Sequence, residues 1–271
     1  MSENLQSYSA KAEVSNLIQR RTRFERIKIA FSKAPPSAWF GMIVIAIYLF
    51  AAFFAPLIAP HGEAEIFEVA YAPWGGEHLL GTDQIGRDVF SRLIFAARNT
   101  LGICFLACSI ALIIGTIFGI IAAIDRRFFD QFLSRTCDTL MAIPVMIFTF
   151  ILLSVFGPSN FNLILILGIL ESTRFFRISR SVAVGQVVLE YVEVAKLRGE
   201  RLSYIIFKEI LPNIASPLIV EFGVRFIFII FTVSSLSFLG LGIQPLQQIG
   251  QQWLEKMQFL FNMLNMILLR V

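Results

Sequence analysis

Charge, histidine and cysteine are all scarce in this 271-residue sequence. Only 15% of it is Asp, Glu, Lys or Arg, against 56% apolar residues that include 28 Phe. So much apolar surface cannot be hidden in a soluble core, and the composition is that of an integral membrane protein. With only His61 and His78 available, no nucleophile–base–orienter constellation can be drawn, so the sequence predicts no enzyme and no cofactor. A G-x-x-x-x-G-K-[ST] phosphate loop is missing too, and any ATP used on its behalf must be hydrolysed by another subunit. The three cysteines are not in C-x-x-C or zinc spacing: Cys104 and Cys108 share one face of an apolar segment and Cys137 lies at the edge of another. They read as reduced, packed thiols, and no metal site is predicted.

What is present is a series of long apolar segments. A membrane-crossing helix needs about 20 apolar residues, and five segments qualify: 39–60, 100–124, 139–157, 161–177 and 214–240. The fourth carries Glu171 and Arg174 near its end. The N-terminus is not a signal peptide, because a long basic stretch precedes an apolar run too long for an h-region. Arg20, Arg21, Arg23, Arg26, Lys28 and Lys33 crowd before Trp39, which places the N-terminus in the cytoplasm. Alternation then puts 61–98 outside and 125–138 and 178–213 inside. The charges agree: 61–98 is acidic, while Arg126, Arg127, Arg135, Arg177, Arg180, Lys196, Arg198, Arg201 and Lys208 fall inside. The basic excess thus records topology, and nucleic acid is not among the expected partners.

Between the last two spans lies a polar island, EVAKLRGERLSYIIFKEILP, residues 193–212. It reads as helix, Gly turn, helix: Gly199 reverses the chain, Tyr204, Ile205, Phe207, Ile210 and Leu211 recur at helical spacing, and Pro212 closes the run. A half-apolar cytoplasmic helix suits docking into another protein's groove. The island resembles the "EAA" coupling loop of ABC importer permeases, with Glu193-x-Ala195, then Gly199, then Ile210-Leu211-Pro212 at the family's spacing. Val194 and Glu209 depart from it, standing where Ala and His are usual.

The outer segment HLLGTDQIGRDVFSR, residues 78–92, is a compact polar turn leading into a helix. Gly81 and Gly86 permit turns, and Thr82 or Asp83 is expected to cap a helix starting near Gly86. Arg87, Asp88 and Arg92, at one-turn spacing, are expected to form an ion-pair cluster. The segment either only covers the bundle or serves a function of its own. It resembles the loop after the first span of the dipeptide/oligopeptide/nickel importers, in the second of their two non-identical permeases. DTLMAIP at 138–144 and SFLGLGIQP at 237–245 agree in order, so the resemblance covers about residues 39–245.

Within the spans, Pro144 is expected to kink the third helix, as a gate hinge or as a packing bend. Glu221 and Arg225, one turn apart, read as a pore-lining pair or a structural one. Gly115 and Gly119 form a G-x-x-x-G that favours close helix packing.

After Pro245 the resemblance stops, at LQQIGQQWLEKMQFLFNMLNMILLRV. Back-translated from Gln247 and read two nucleotides later, this stretch can spell Ala-Asp-Trp-Ala-Thr-Met, which looks like the family's missing turn. The expectation is a frameshift at or just after codon 245, as a true lesion or a sequencing error; a naturally divergent tail is the alternative. The sequence thus divides into a basic tail 1–38, a first span 39–60, an outer loop 61–98, a permease core 99–245 with its coupling loop at 185–213, and an aberrant tail 246–271.

The resemblance implies an all-α, polytopic transmembrane bundle of the type I ABC importer kind, with five spans here and six in the family. It implies a multi-pass inner-membrane subunit that translocates peptides, with nickel or another small solute, or a non-transporting remnant, as alternatives. Its implied partners are a homologous second permease, two cytoplasmic ABC ATPases, a periplasmic solute-binding protein and membrane lipid.

Overall fold

The computed structural model describes residues 35–63, 65–76, 78–125 and 128–242. The chain divides into two compact units, residues 1–50 and 51–271. Among the described residues eight helices follow one another: α1 (Pro36–Phe53), α2 (Ala55–Ile58), α3 (Val89–Ile124), α4 (Phe128–Met141), α5 (Val145–Phe156), α6 (Asn160–Val187), α7 (Glu190–Leu197) and α8 (Leu202–Phe238). Among the described residues there is no strand, only two isolated bridges, Gly75 with His78 and Thr82 with Asp88.

Side chains set the helix starts. Asp88 caps α3 by accepting from the Ser91 amide at 2.8 Å, and Ser159 caps α6 by accepting from the Asn162 amide at 3.2 Å; each satisfies an otherwise orphaned N–H.

The core of the second unit is the α3–α6 pair, joined by α5 and α8. Small residues make the approach close. A methyl placed on Gly115 would meet Ser172 O and Phe175 Cβ, and one on Gly119 would meet Ser179 Oγ and Phe176 O. Into that gap Ser179 Oγ donates to Gly115 O at 3.1 Å, a bond from helix to helix. Cys104 and Cys108 are buried in the same layer as small apolar side chains, and among the described residues all three cysteines are free.

Among the described residues three helices, α1, α3 and α8, are long and apolar enough to cross a membrane, or four crossings if the bent α4–α5 pair is one broken span. Five were expected. The 28-residue α6 is long enough but carries Glu171, Arg174, Arg177 and Arg180. Two of these arginines tie it to α4: Arg177 Nη2 donates to Asp138 Oδ1 at 2.7 Å and Arg180 Nη2 to Asp130 Oδ2 at 2.7 Å. The third expected span also differs. Rather than kinking one helix, Pro144 (φ −55, ψ 127) stands just before α5, and α4 and α5 meet at 86°. The residue before a proline is driven out of the helical region, so α4 ends before Ile143.

Candidate functional site: an elbow and a clasped outer loop

The elbow begins with α7, whose first turn holds Glu190 and Glu193 where acidic side chains favour the helix dipole. Glu193 is exposed, whereas Ala195 is fully buried, so a larger side chain at 195 would have no room. The helix ends in a left-handed Gly199 (φ +74). The Glu200 amide donates to Ala195 O at 3.2 Å and the Gly199 amide to Lys196 O at 3.0 Å, the paired bonds of a Schellman stop. No atom lies within 4 Å of a Cβ built on Gly199, so the backbone angle, not space, requires glycine here.

After the turn the expectation fails at Pro212, which does not close the second helix. The helix runs on as α8, 37 residues from Leu202 to Phe238, with Pro212 exposed in its wall. A π turn over Ile205–Ile210 precedes the proline, and the Leu211 amide reaches back to Ile206 O. The widened turn lets the chain pass a residue that has no N–H to give and whose ring crowds the preceding carbonyl. Ile205, Ile206, Ile210 and Ile214 bury one face against Val192 and Ala195 of α7, Ile120 of α3 and Ala183 of α6, with Leu211 half-buried at the edge. Leu197, Val194, Phe207 and Tyr204 remain exposed on the opposite side. Asn213 Nδ2 donates to Tyr191 Oη at 3.2 Å, and Tyr191 Oη to Gln186 Oε1 at 2.7 Å, fastening α8 to α7 and α6.

The loop that leads into α3, read as the outer one, is tied down residue by residue. Gly81 (φ +74) and Gly86 (φ +82) are left-handed, and a Cβ on either would strike a carbonyl, Ala72 O or Phe67 O. Thr82 Oγ1 accepts from the Ala72 amide at 2.7 Å and donates to Val69 O at 2.8 Å. The ion-pair cluster centres on Asp83 rather than on Asp88. Asp83 accepts from the Ile85 and Arg87 amides at 2.8 and 2.9 Å and from Arg87 Nε at 3.1 Å, and also pairs with Arg92 Nη1. Burial works against its charge, but the backbone hydrogen bonds of Arg87 and Ile85 and the Arg87 guanidinium outweigh it, holding the carboxyl at about 2 rather than 3.8.

Asp88, expected in that cluster, has another task. Its helix starts at Val89, with Asp88 and not Thr82 or Asp83 as the cap. The second carboxylate oxygen, Oδ1, lies 3.2 Å from His78 Nδ1. Burial alone would raise this carboxyl, but hydrogen bonds from Ser91 and His78 hold it below its ordinary value. His61 joins them: its amide donates to Ser91 Oγ at 3.1 Å, and its ring centroid lies 5.2 Å from that of His78. Phe67 packs edge-on against both imidazoles, at 4.7 and 4.6 Å.

The third expected group lies along α8. Arg225 Nε donates to Glu221 Oε1 at 2.6 Å, and Arg225 sits 4.9 Å over the Phe228 ring. The sequence reading missed Glu171 as a partner. Its Oε2 lies 3.9 Å from Arg225 Nη1 and 3.7 Å from Arg174 Nε, in a residue only 3% exposed. Its position as a carboxylate in an apolar run was the available signal. Pro144 belongs to different elements, at the α4–α5 break. Between α3 and α8 an apolar cavity of about 560 Å³ is lined by Phe105, Leu112, Phe207, Leu211, Leu218 and Phe222 among others.

Comparison with known families matches both ends of this architecture. The family model for the binding-protein-dependent transport system inner membrane component matches residues 115–269. That for the N-terminal TM domain of oligopeptide transport permease C matches residues 33–73. The first match continues past Pro245, where the resemblance read from the sequence stops. The dipeptide transport system permease protein DppC of Alkalihalophilus pseudofirmus is 34% identical over 223 residues, 81% of this chain and 73% of that one. The protein of the same name from Escherichia coli is 36% identical over 222 residues, covering 79% and 74%. The di/tripeptide transport system permease protein DppC of Pseudomonas aeruginosa is 32% identical over 212 residues, covering 76% and 70%.

Proposed function

The chain belongs to the binding-protein-dependent transport system inner membrane components, and on that premise we propose that it is the peptide-translocating permease subunit of an ATP-driven importer. It is a transport subunit and not an enzyme. It works beside a homologous second permease, with two cytoplasmic ABC ATPases at the elbow and a periplasmic solute-binding protein at the outer loop. The N-terminus lies in the cytoplasm, and α6 is a further span whose Glu171 is tolerated in the membrane because Arg174 and Arg225 lie beside it. That gives five spans among the described helices, against the six expected in the family.

The single observation that carries the mechanism is the continuity of α8 from Leu202 to Phe238. Closure of the ATPase dimer presses on α7 and the start of α8, where Glu193, Leu197 and Phe207 are exposed. Gly199 sets the angle between the two helices, and Ile210, Leu211 and Pro212 carry the motion into the span. A rod about 55 Å long at 1.5 Å per residue, with the π turn near its start and Pro217 within it, transmits it to the outer face. The Glu221–Arg225 pair and Glu171 form the polar link along which α8 shifts against α6, and Pro144 is the hinge of the broken α4–α5 pair.

The test is reconstitution. Assembled with its partners in proteoliposomes, the chain is expected to accumulate a labelled dipeptide only when ATP and the binding protein are present. Leu197→Asp should release the ATPases from the membrane fraction. An assembled complex that accumulates no di- or tripeptide, or a Leu197→Asp variant that keeps its ATPases, refutes the reading.

The tail after residue 242 lies outside the described residues. The frameshift at or just after codon 245 stands as a proposal beside the family match that runs to residue 269. A fresh DNA read across codons 240–271 decides between them.

A further inference from the structure

His61, His78 and Asp88 come from three separate turns of the outer loop, yet one ligand atom from each lies within 4.8 Å of the other two. Two imidazoles and one carboxylate are a donor set suited to zinc and its neighbours in the first transition row, not to magnesium or calcium, which take oxygen. We propose that these three residues bind one divalent transition-metal cation, of zinc type, as a fixed staple of the outer loop.

The geometry is close to what such an ion needs. Ligands at about 2.1 Å in a tetrahedron stand roughly 3.4 Å apart, and His78 Nδ1 and Asp88 Oδ1 are already 3.2 Å apart. His61 has to move by about an ångström, a side-chain rotation within reach of a half-buried ring. Asp88 is held rigid for the purpose. Its side chain is 1% exposed, and its Oδ2 is engaged by the Ser91 amide, which leaves Oδ1 directed at His78. The Ser91 hydroxyl in turn accepts from the His61 backbone, so one residue at the start of α3 orients two of the three ligands. Phe67 walls the site by packing against both rings. A fourth donor stands nearby: Glu65 Oε2 is 3.9 Å from His61 Nδ1.

These features describe a resident ion rather than cargo. The site lies at the capped start of α3, apart from the α3–α8 cavity, and its carboxylate also caps a helix. Binding would close the chain from residue 61 to residue 88 onto the rigid end of α3, removing loop freedom that hydrogen bonds alone leave in part.

The experiment uses the full-length, tag-free chain in detergent, stripped with EDTA and titrated with zinc chloride and, separately, cobalt chloride. Wild type should retain one zinc ion per chain after desalting, by elemental analysis. Its cobalt form should show the intense visible bands of a tetrahedral site. His61→Gln and His78→Gln should each weaken zinc binding at least tenfold while leaving the helical circular dichroism unchanged. Asp88 is left intact because it also caps α3. Wild-type zinc retention no greater than that of the double histidine variant would overturn the proposal, reducing the trio to a hydrogen-bonded clasp. So would undiminished affinity in His61→Gln.

Discussion

Replacement of Gly199 isolates the elbow from every other contact. The residue sits at φ +74 with no atom within 4 Å of a would-be Cβ, so a side chain there collides with nothing and acts through its own backbone alone. For an L-residue the left-handed region costs about 1–2 kcal/mol, and for Asn much less. At 1.4 kcal/mol per factor of ten, Gly199→Val should lower the population of the bent elbow about tenfold, and Gly199→Asn by less than about threefold. Reconstituted complexes would be assayed for dipeptide uptake and ATP hydrolysis in parallel. The valine variant should hydrolyse ATP while moving about ten times less peptide per ATP; alanine should fall between valine and asparagine. A valine variant that couples like wild type refutes the reasoning. So does an asparagine variant that fails as badly as valine, because asparagine adds bulk yet tolerates this backbone far better than valine.

Three further outcomes follow from the packing and the charges. Gly119→Leu drives a side chain into Ser179 Oγ and Phe176 O and should destabilise the α3–α6 pair by about 1–3 kcal/mol, read as a lower detergent unfolding temperature; Gly102→Ala, which meets nothing within 4 Å, should not. Arg225→Ala leaves Glu221 without its partner and Glu171 with Arg174 alone and should cost about 3–5 kcal/mol. Arg225→Lys should recover part of the loss in the same unfolding assay, and equal losses for both would deny the charge its role. Because the folded Asp83 carboxyl is depressed to about 2 from 3.8, its stabilisation is present above pH 3.8 and lost as pH falls through about 2. Hydrogen exchange of residues 66–92 should therefore accelerate across that window in wild type and less steeply in Asp83→Asn, where only the depressed Asp88 carboxyl still titrates.

Local chemistry made parts of this molecule readable in advance. Apolar runs announced α1, α3 and α8, and a glycine between two helical patterns announced the elbow. Other features were set by groups far apart in sequence. Nothing in the spacing of His61, His78 and Asp88 says that three turns converge, because each is placed by backbone bonds such as Phe67 N to Gly86 O and Thr82 N to Ala72 O. Asp88 won the cap from Thr82 for the same reason: Thr82 spends its hydroxyl on Val69 and Ala72. Glu171 was visible only as an awkward charge until α6 packed beside α8. Pro212 and Pro144 looked alike as helix breakers, yet one is absorbed by a π turn buried on its apolar side and the other divides two helices at 86°.

The unbroken α8 also fixes the length of the gene in this region. Each residue of an α-helix turns the chain by about 100°, so one codon inserted between Gly199 and Glu221 would swing Arg225 away from Glu171 while the elbow stayed in place. Only a wider turn, of the kind at Ile205–Ile210, takes up an extra residue and restores the facing. Substitutions along this rod can be frequent among relatives, but gaps should fall outside it.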